Sequence, residues 1–393
     1  MLKLSADFIF DGIRFLPKDT VLIVDDSFKI CFISKRQDYP DIDFYYDGII
    51  CPGFINTHCH LELSHLYQQI ERHSELPDFI KSITHLRDTF STEEIVAAAY
   101  KADQEMYQNG IVAVGDICNT KNTIGIKLNS NIKYHSFIEL FDIRFSDCNE
   151  TLSIGLELLK NHQENGLLAS IVPHAPYSCS LELFEYLSTL KSNAPISIHN
   201  QESWYEHEFI TERSGILFER FQQQHFNLDR LPQHAHSSLV ALLPYYKKFE
   251  KLILVHNTFT SRDDIKIATD NIQNLFWCFC VRANEFISDC YPPLEFFDKN
   301  ANIVLGTDSL ASNYSLNIFE EMCVIQKEYK NISLENLLLW STSNGAAALG
   351  IDQDFGRIKV GKKPGLNFIK IDEDKNMIQH YFIPNQIQNG TRV

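Results

Sequence analysis

Eight short apolar runs recur along the chain, separated by longer stretches in which apolar residues return every three or four positions. The runs are GIICPGFINTH (48–58), GIVAVGDI (110–117), IKYHSFIEL (132–140), LASIVPHA (168–175), APISIHN (194–200), KLILVHN (251–257), LFWCFCV (275–281) and NIVLGTD (302–308). Most are nearly continuous in Val, Ile, Leu and Phe, as strands buried on both faces of a parallel sheet are. Between them, STEEIVAAAYKADQEMYQNG (91–110), SLELFEYLSTLKSN (180–193) and SLENLLLWSTSNGAAALG (333–350) have helical spacing. The first opens on a capping signature and stops at Asn-Gly. Strand–helix units in succession predict an α/β fold, a (β/α)8 TIM barrel over 51–349, with an open doubly wound sheet as the alternative. No Gly-x-Gly-x-x-Gly follows the first run, which weighs against a dinucleotide-binding sheet.

The two ends have a different texture. Residues 1–50 hold TVLIVDD and KICFIS, and residues 350–393 hold DFGRIKVGKKPGLNFIKID and HYFIP. Both read as strands with turn residues between them. They predict a small composite β-sandwich formed by both termini, with residues 1–50 and residues 350–393 each supplying a portion. The longest connection, 201–250, carries His207, His225, His234 and His236 and is expected to form helices over the barrel mouth.

Composition narrows the partners. With 35 basic and 51 acidic residues the formal charge is −16, a surface that repels phosphate backbones. A nucleic-acid polymer or an anionic membrane is excluded as a partner; a small-molecule substrate such as a nucleoside is not. Ten cysteines fall without a framework of spacings, which fits buried, reduced thiols. There is no signal-peptide pattern at the start and no 18-residue apolar run, so a cytoplasmic location is expected.

In a barrel of this kind the active site lies at the C-terminal ends of the strands. The first run ends in His58 and His60, the fourth in His174, the fifth in His199, the sixth in His256 and the eighth in Asp308. One His-x-His pair means little, since 15 histidines in 393 residues give roughly 0.6 such pairs by chance. The convergence of five strand ends means more. Alternate residues of a strand share a face, so His58 and His60 can grip one ion while Cys59 packs behind. With His199 and Asp308 they make a four-ligand set for a divalent cation with room for water. Glu202, three residues after His199, is placed to exchange protons with substrate.

PGFINTHCHLE, HAPYS, IHNQE, LVHN and GTDSLASN, in this order, resemble the amidohydrolase superfamily. More narrowly they resemble its mononuclear-metal branch of chlorohydrolases and nucleoside or nucleobase deaminases. HLELS and GTDSLASNYSLNIFEE are most similar to the aminodeoxyfutalosine deaminases of menaquinone biosynthesis. The resemblance implies one divalent metal ion per chain, zinc first and iron second, held by His58, His60, His199 and Asp308. It implies catalytic roles for Glu202, His256 and Asp308, and substrate contacts from His174, Ser309 and Asn313. Glu62 and Glu139 are further substrate-contact candidates, each with a solvated or capping role as the alternative. No lysine ends the fourth run, which speaks for one metal. CVRANEF keeps Asn284 but departs from the relatives' seventh-strand pattern. There Arg282 is read as a salt-bridge residue before an anion contact. A homodimer is implied by the resemblance alone.

The expected reaction is hydrolytic deamination of an adenine nucleoside, aminodeoxyfutalosine before others. Two alternatives stay open: a related hydrolase acting on another C–N or C–Cl bond, and an inactive metal-binding scaffold. His85, His135, His162, His207 and His225 are read as surface or structural residues, and His234 and His236 as lid or substrate-side residues. Phe141, Tyr177 and Trp204 are the aromatic residues nearest the expected mouth.

Overall fold

The computed structural model describes residues 1–145, 147–190 and 192–388. Four strands open the chain: β1 (Leu2–Ile9), β2 (Thr20–Val24), β3 (Ile30–Lys35) and β4 (Phe44–Pro52). Eight parallel strands follow, with helices in the crossovers: β5 (Phe54–Cys59), β6 (Ile111–Cys118), β7 (Lys133–Leu140), β8 (Leu168–Pro173), β9 (Ile196–Asn200), β10 (Leu252–His256), β11 (Leu275–Phe279) and β12 (Ile303–Leu305). Every residue of β5, β6 and β9 to β12 is buried, which is why these runs are apolar without alternation.

The eight strands pair in two four-stranded halves, β5 to β8 and β9 to β12. Two seams close them into a barrel. At one, the His199 amide donates to the His174 carbonyl at 3.0 Å; at the other, the Thr307 and Asp308 amides donate to the His58 carbonyl at 3.0 and 3.1 Å. Both seams thus use the backbone of residues singled out at the strand ends.

The run 48–58 is not one strand but pieces of two. β4 belongs to the terminal sheet and β5 to the barrel, with only Gly53 between them. A Cβ on Gly53 would lie 2.4 Å from a Val112 methyl and 2.9 Å from the Pro364 carbonyl, so the chain crosses between the two sheets at a point too tight for a side chain. Both termini build the composite unit, which also includes β13 (Leu366–Ile371) and β14 (Met377–Phe382). Hydrogen bonding runs through all six strands in the order β14-β13-β4-β1-β2-β3, so they form one continuous sheet and not two separately bonded ones. Its core includes Leu4, Leu22, Ile30, Ile50, Leu366 and Phe368.

The helix Thr92–Gln108 starts on a full Ser91/Glu94 capping box and ends before Gly110, which has φ +69°. The helical stretch expected at 333–350 divides into Leu334–Ser341 and Ser343–Leu349. Thr342 breaks it: its hydroxyl turns back onto the Leu338 carbonyl and its backbone leaves helical geometry. The 180–193 stretch is helical over Leu181–Thr189, and Lys191 within it lies outside the described residues, as do 389–393 at the end of the expected C-terminal β portion.

Two helices cover the barrel mouth. Gly215–Gln223 comes from the 201–250 connection, while Glu75–Leu86 has no counterpart among the elements expected from sequence. They pack on a second apolar cluster that includes Leu76, Phe79, Leu217, Phe218 and Phe221. Among the described residues no helix is long and apolar enough to cross a membrane.

Behind β6, Lys127 pairs with Asp116 at 2.7 Å, both side chains fully buried. Asp116 also accepts the Leu61 amide at 2.8 Å, one residue beyond His60. Burial alone would lower the Lys127 pKa, but the Asp116 charge outweighs it and holds the ammonium form. Removing one partner strands a buried charge. Lys127→Met should therefore destabilise the fold by about 3–5 kcal/mol in chemical denaturation, with some of the loss recovered when Asp116→Asn is added. A loss below about 1 kcal/mol would show that the pair is not held as a buried ion pair.

Candidate active site

His58 is the penultimate residue of β5, and His60 follows the strand's last residue, Cys59. Their Nε2 atoms lie 3.2 Å apart, each facing Asp308 Oδ1, at 3.7 Å from His58 and 3.3 Å from His60. His199 on β9 donates its Nδ1 proton to the His174 carbonyl at 2.9 Å, which leaves Nε2 as the free lone pair. One ligand atom from each of His58, His60, His199 and Asp308 falls within 4.8 Å of all the others. Three neutral nitrogens and one carboxylate oxygen converging in this way fit a divalent cation such as zinc or iron.

Protonation states suit that fit. Burial drives the His60 pKa down to about 3 and holds His58 and His199 below the ordinary 6.5. Burial would raise Asp308, but the hydrogen bond to His58 and the charges of His60 and His256 pull it well below 3.8. Its other oxygen, Oδ2, accepts from the Ser312 hydroxyl.

Two further groups stand beside the cluster without belonging to it. His256 Nδ1 donates to Asn284 Oδ1 at 2.8 Å, which turns Nε2 towards Glu202 Oε1 at 3.7 Å. Burial raises the Glu202 pKa above 4.5, against the opposing charge of His256. Glu202 is held in turn by Glu206, which sequence reasoning missed. The fully buried Glu206 carboxylate accepts the amides of Gln201 at 3.0 Å and Glu202 at 3.2 Å, and the Ser238 hydroxyl. The available signal was Ser203-x-x-Glu206, a capping pattern directly after IHNQE. Gln201, His256, Asn257 and Asp308 all adopt left-handed backbone (φ 48°, 74°, 53° and 57°). Such a cluster of uncommon conformations persists only where the surroundings over-determine it.

Above these residues opens a cavity of about 750 Å3. His60, Glu139, His174, Glu202, Asp308 and Ser309 reach its wall, with Phe141 and Tyr177. Glu139 keeps Oε1 buried and unpartnered, and burial pushes its pKa up to about 8. Two of the expected substrate-contact residues, Glu62 and Asn313, do not line this cavity. Glu62 spends both oxygens on the Asn119 amide and on the amide and hydroxyl of Thr120, at 2.8–3.0 Å. Asn313 donates to the Thr307 carbonyl at 2.9 Å and to Glu321 at 3.0 Å. Glu62 thereby holds Asn119, which does line the cavity, while Asn313 braces the loop after β12. His234, His236 and Trp204 do not line the cavity, whereas His85 reaches its rim. Arg282 pairs with Glu320 at 2.6 Å, as a salt-bridge residue should.

This set, a closed eightfold barrel with three imidazoles, an aspartate and a buried glutamate at its strand ends, defines a class of metal-dependent hydrolase. The profile of the amidohydrolase family matches residues 49–391, and the chain belongs to that family. It is 28% identical over 383 residues to a 5'-deoxyadenosine deaminase of Methanococcus maripaludis, covering 91% of this chain and 82% of the relative. It is 26% identical over 360 residues to an aminodeoxyfutalosine deaminase of Nitratiruptor sp., covering 88% and 85%. The crystal structure of Helicobacter pylori aminofutalosine deaminase in complex with methylthio-coformycin superposes with a TM-score of 0.77 at 22% identity, covering 99% and 95%.

Two outcomes follow from the geometry. Because burial holds all three ligand histidines below the ordinary 6.5, metal affinity by chelator competition should fall less from about pH 8 to 6.5 than three ordinary imidazoles would allow. A tenfold fall across that range would mean that ordinary imidazoles bind the ion. Asn284→Ala should cut kcat/KM about 10–100-fold while metal content stays at the wild-type level, since His256 stands outside the ligand set. Loss of metal in that variant would place His256 among the ligands.

Proposed function

We propose that the protein is a metal-dependent deaminase that releases ammonia from the adenine ring of a nucleoside. Aminodeoxyfutalosine and 5'-deoxyadenosine are the two candidate substrates, supported by relatives of similar identity. The observation that carries this reading is the pairing of a His3Asp cluster with a buried glutamate and a histidine that are not in it. An ion-holding scaffold has no use for Glu202 and His256 beside the cluster; hydrolysis at an amine-bearing ring carbon uses both.

A cation held by His58, His60, His199 and Asp308 supplies a Lewis acid that brings the pKa of a water towards neutrality. The side chains do the rest. Asp308, kept ionised by its histidine neighbours, accepts the water's proton. Glu202, whose burial lets it hold a proton to higher pH than an ordinary glutamate, protonates a ring nitrogen and makes the adjacent carbon electrophilic. His256, locked by Asn284 through Nδ1, stabilises the tetrahedral species when it carries a second proton on Nε2 to donate to the attacked carbon's new oxygen. Asp308 then passes the water's first proton to the leaving amine, and Glu202 takes the hydroxyl proton of the tetrahedral species, so that ammonia departs and both carboxyl groups are restored. The apolar share of the wall, including Phe79, Ile83 and Phe221, excludes competing water.

Glu202→Gln should keep its metal and lose about 10²–10⁴ in turnover, read as ammonia release from a panel of adenine nucleosides. Near-wild-type turnover in that variant would remove Glu202 from the chemistry. With the unaltered protein, ammonia from none of the panel while metal stays bound would overturn the deaminase reading.

A further inference from the structure

Outside the barrel mouth, one more set of metal-capable side chains converges among the described residues. It lies where the segment before the helix Glu75–Leu86 meets the C-terminal end of the helix Val281–Ser288. His73 Nε2 is 3.7 Å from Glu285 Oε1 and 3.9 Å from Asp289 Oδ1, and one ligand atom from each residue falls within 4.8 Å of the others. Main-chain bonds hold this arrangement. The Asp289 amide closes the helix's last turn on the Glu285 carbonyl at 3.0 Å, which puts both carboxylates on one side of it. The His73 amide donates to the Phe286 carbonyl at 2.7 Å and so carries the imidazole to them.

A cation of the chain itself already lies against two of the three. Arg72 Nη2 donates to Glu285 Oε1 and, at 3.3 Å, to His73 Nε2. A guanidinium can only donate, so His73 Nε2 accepts, and its lone pair faces the same nitrogen that the glutamate oxygen faces. The closing carbonyls of the helix add partial negative charge at this end. Arg72 is held there without being locked. Its side chain is 47% exposed, and its guanidinium also lies 5.4 Å from the Tyr314 ring, a second place for its charge. Withdrawing it therefore strands no buried cation, in contrast to Lys127.

We propose that His73, Glu285 and Asp289 form a second divalent-metal site, separate from the cluster at the strand ends, in which the metal ion and the Arg72 guanidinium exclude each other. An imidazole beside two carboxylates selects zinc or a similar transition cation over magnesium and calcium, whose shells are oxygen. Three protein ligands leave room for water on the ion. Exposed ligands and the competing Arg72 make this the weaker of the two sites. A bound ion clips the segment bearing His73 to the helix whose Asn284 holds His256. The inference does not depend on which substrate the barrel takes.

The test adds zinc to the full chain already loaded with one equivalent, and counts bound ions by equilibrium dialysis and metal analysis. The unaltered protein should take up a second zinc ion per chain, and magnesium at the same concentration should not displace it. His73→Gln and Asp289→Asn should each weaken the second ion about tenfold while the first is kept. Arg72→Gln should tighten it several-fold, because the competing cation is gone; a salt bridge that only braces the fold gives no such gain. A single ion per chain in both the unaltered protein and Arg72→Gln would overturn the site. So would a second ion that His73→Gln and Asp289→Asn leave untouched, which places it elsewhere. A second ion weakened by those two substitutions but held no tighter in Arg72→Gln would overturn the exclusion by Arg72.

Discussion

Closure of the barrel at the seam between β12 and β5 is the constraint on which the rest depends. The amides of Thr307 and Asp308 reach the carbonyl of His58, so two ligand-bearing residues are joined by backbone hydrogen bonds before their side chains meet. The Asn56 amide group donates to the Thr307 hydroxyl at 2.7 Å, and the Thr57 hydroxyl to the Leu305 carbonyl at 2.7 Å. Gly306 makes the approach possible, since a Cβ there would lie 2.8 Å from that of His58 and 2.9 Å from Cys280 Sγ. The opposite seam, between β8 and β9, does the same for His174 and His199. Ligand spacing is thereby tied to backbone hydrogen bonds at the strand ends.

From that frame follow the electrostatics. Dry surroundings push His58, His60 and His199 towards their neutral forms, while the hydrogen bond from His58 leads the effects that keep Asp308 ionised. Glu202 and Glu139 are pushed the other way, towards their protonated forms. One set of strand ends therefore holds one carboxyl group eased towards ionisation and others eased towards protonation. The difference comes from partners: Asp308 faces histidines and a hydroxyl, whereas Glu202 has its backbone pinned by Glu206 and its carboxylate left open.

Much of this was legible in the chain. Continuous burial makes the barrel strands read as unbroken apolar runs, and polar residues at their ends stand out by contrast. His58, His60, His199 and Asp308 are visible for that reason, and the structure gathers them. What was not legible depends on contacts far apart in sequence. A Pro-Gly inside one apolar run does not announce that the chain changes sheet at Gly53, because the cause is Val112 and Pro364. Glu62 and Asn313 sit beside motif residues yet serve backbone amides and a carbonyl of neighbouring loops, a choice that only the folded loops decide. Glu206 reads as a helix cap and turns out to hold the Glu202 backbone as well. The helix Glu75–Leu86 has apolar spacing but found no place in a count of strand–helix units, since it is a lid added to one of them.

The central claim is that this site adds water across a ring carbon and expels ammonia. Its most direct test is to run the reaction in water enriched in 18O, with the metal-loaded protein and an adenine nucleoside, and to weigh the product. The account predicts that one 18O enters the product's ring for each ammonia released. Ammonia released without 18O in the ring, or a product that keeps its amine and gains oxygen elsewhere, would contradict it.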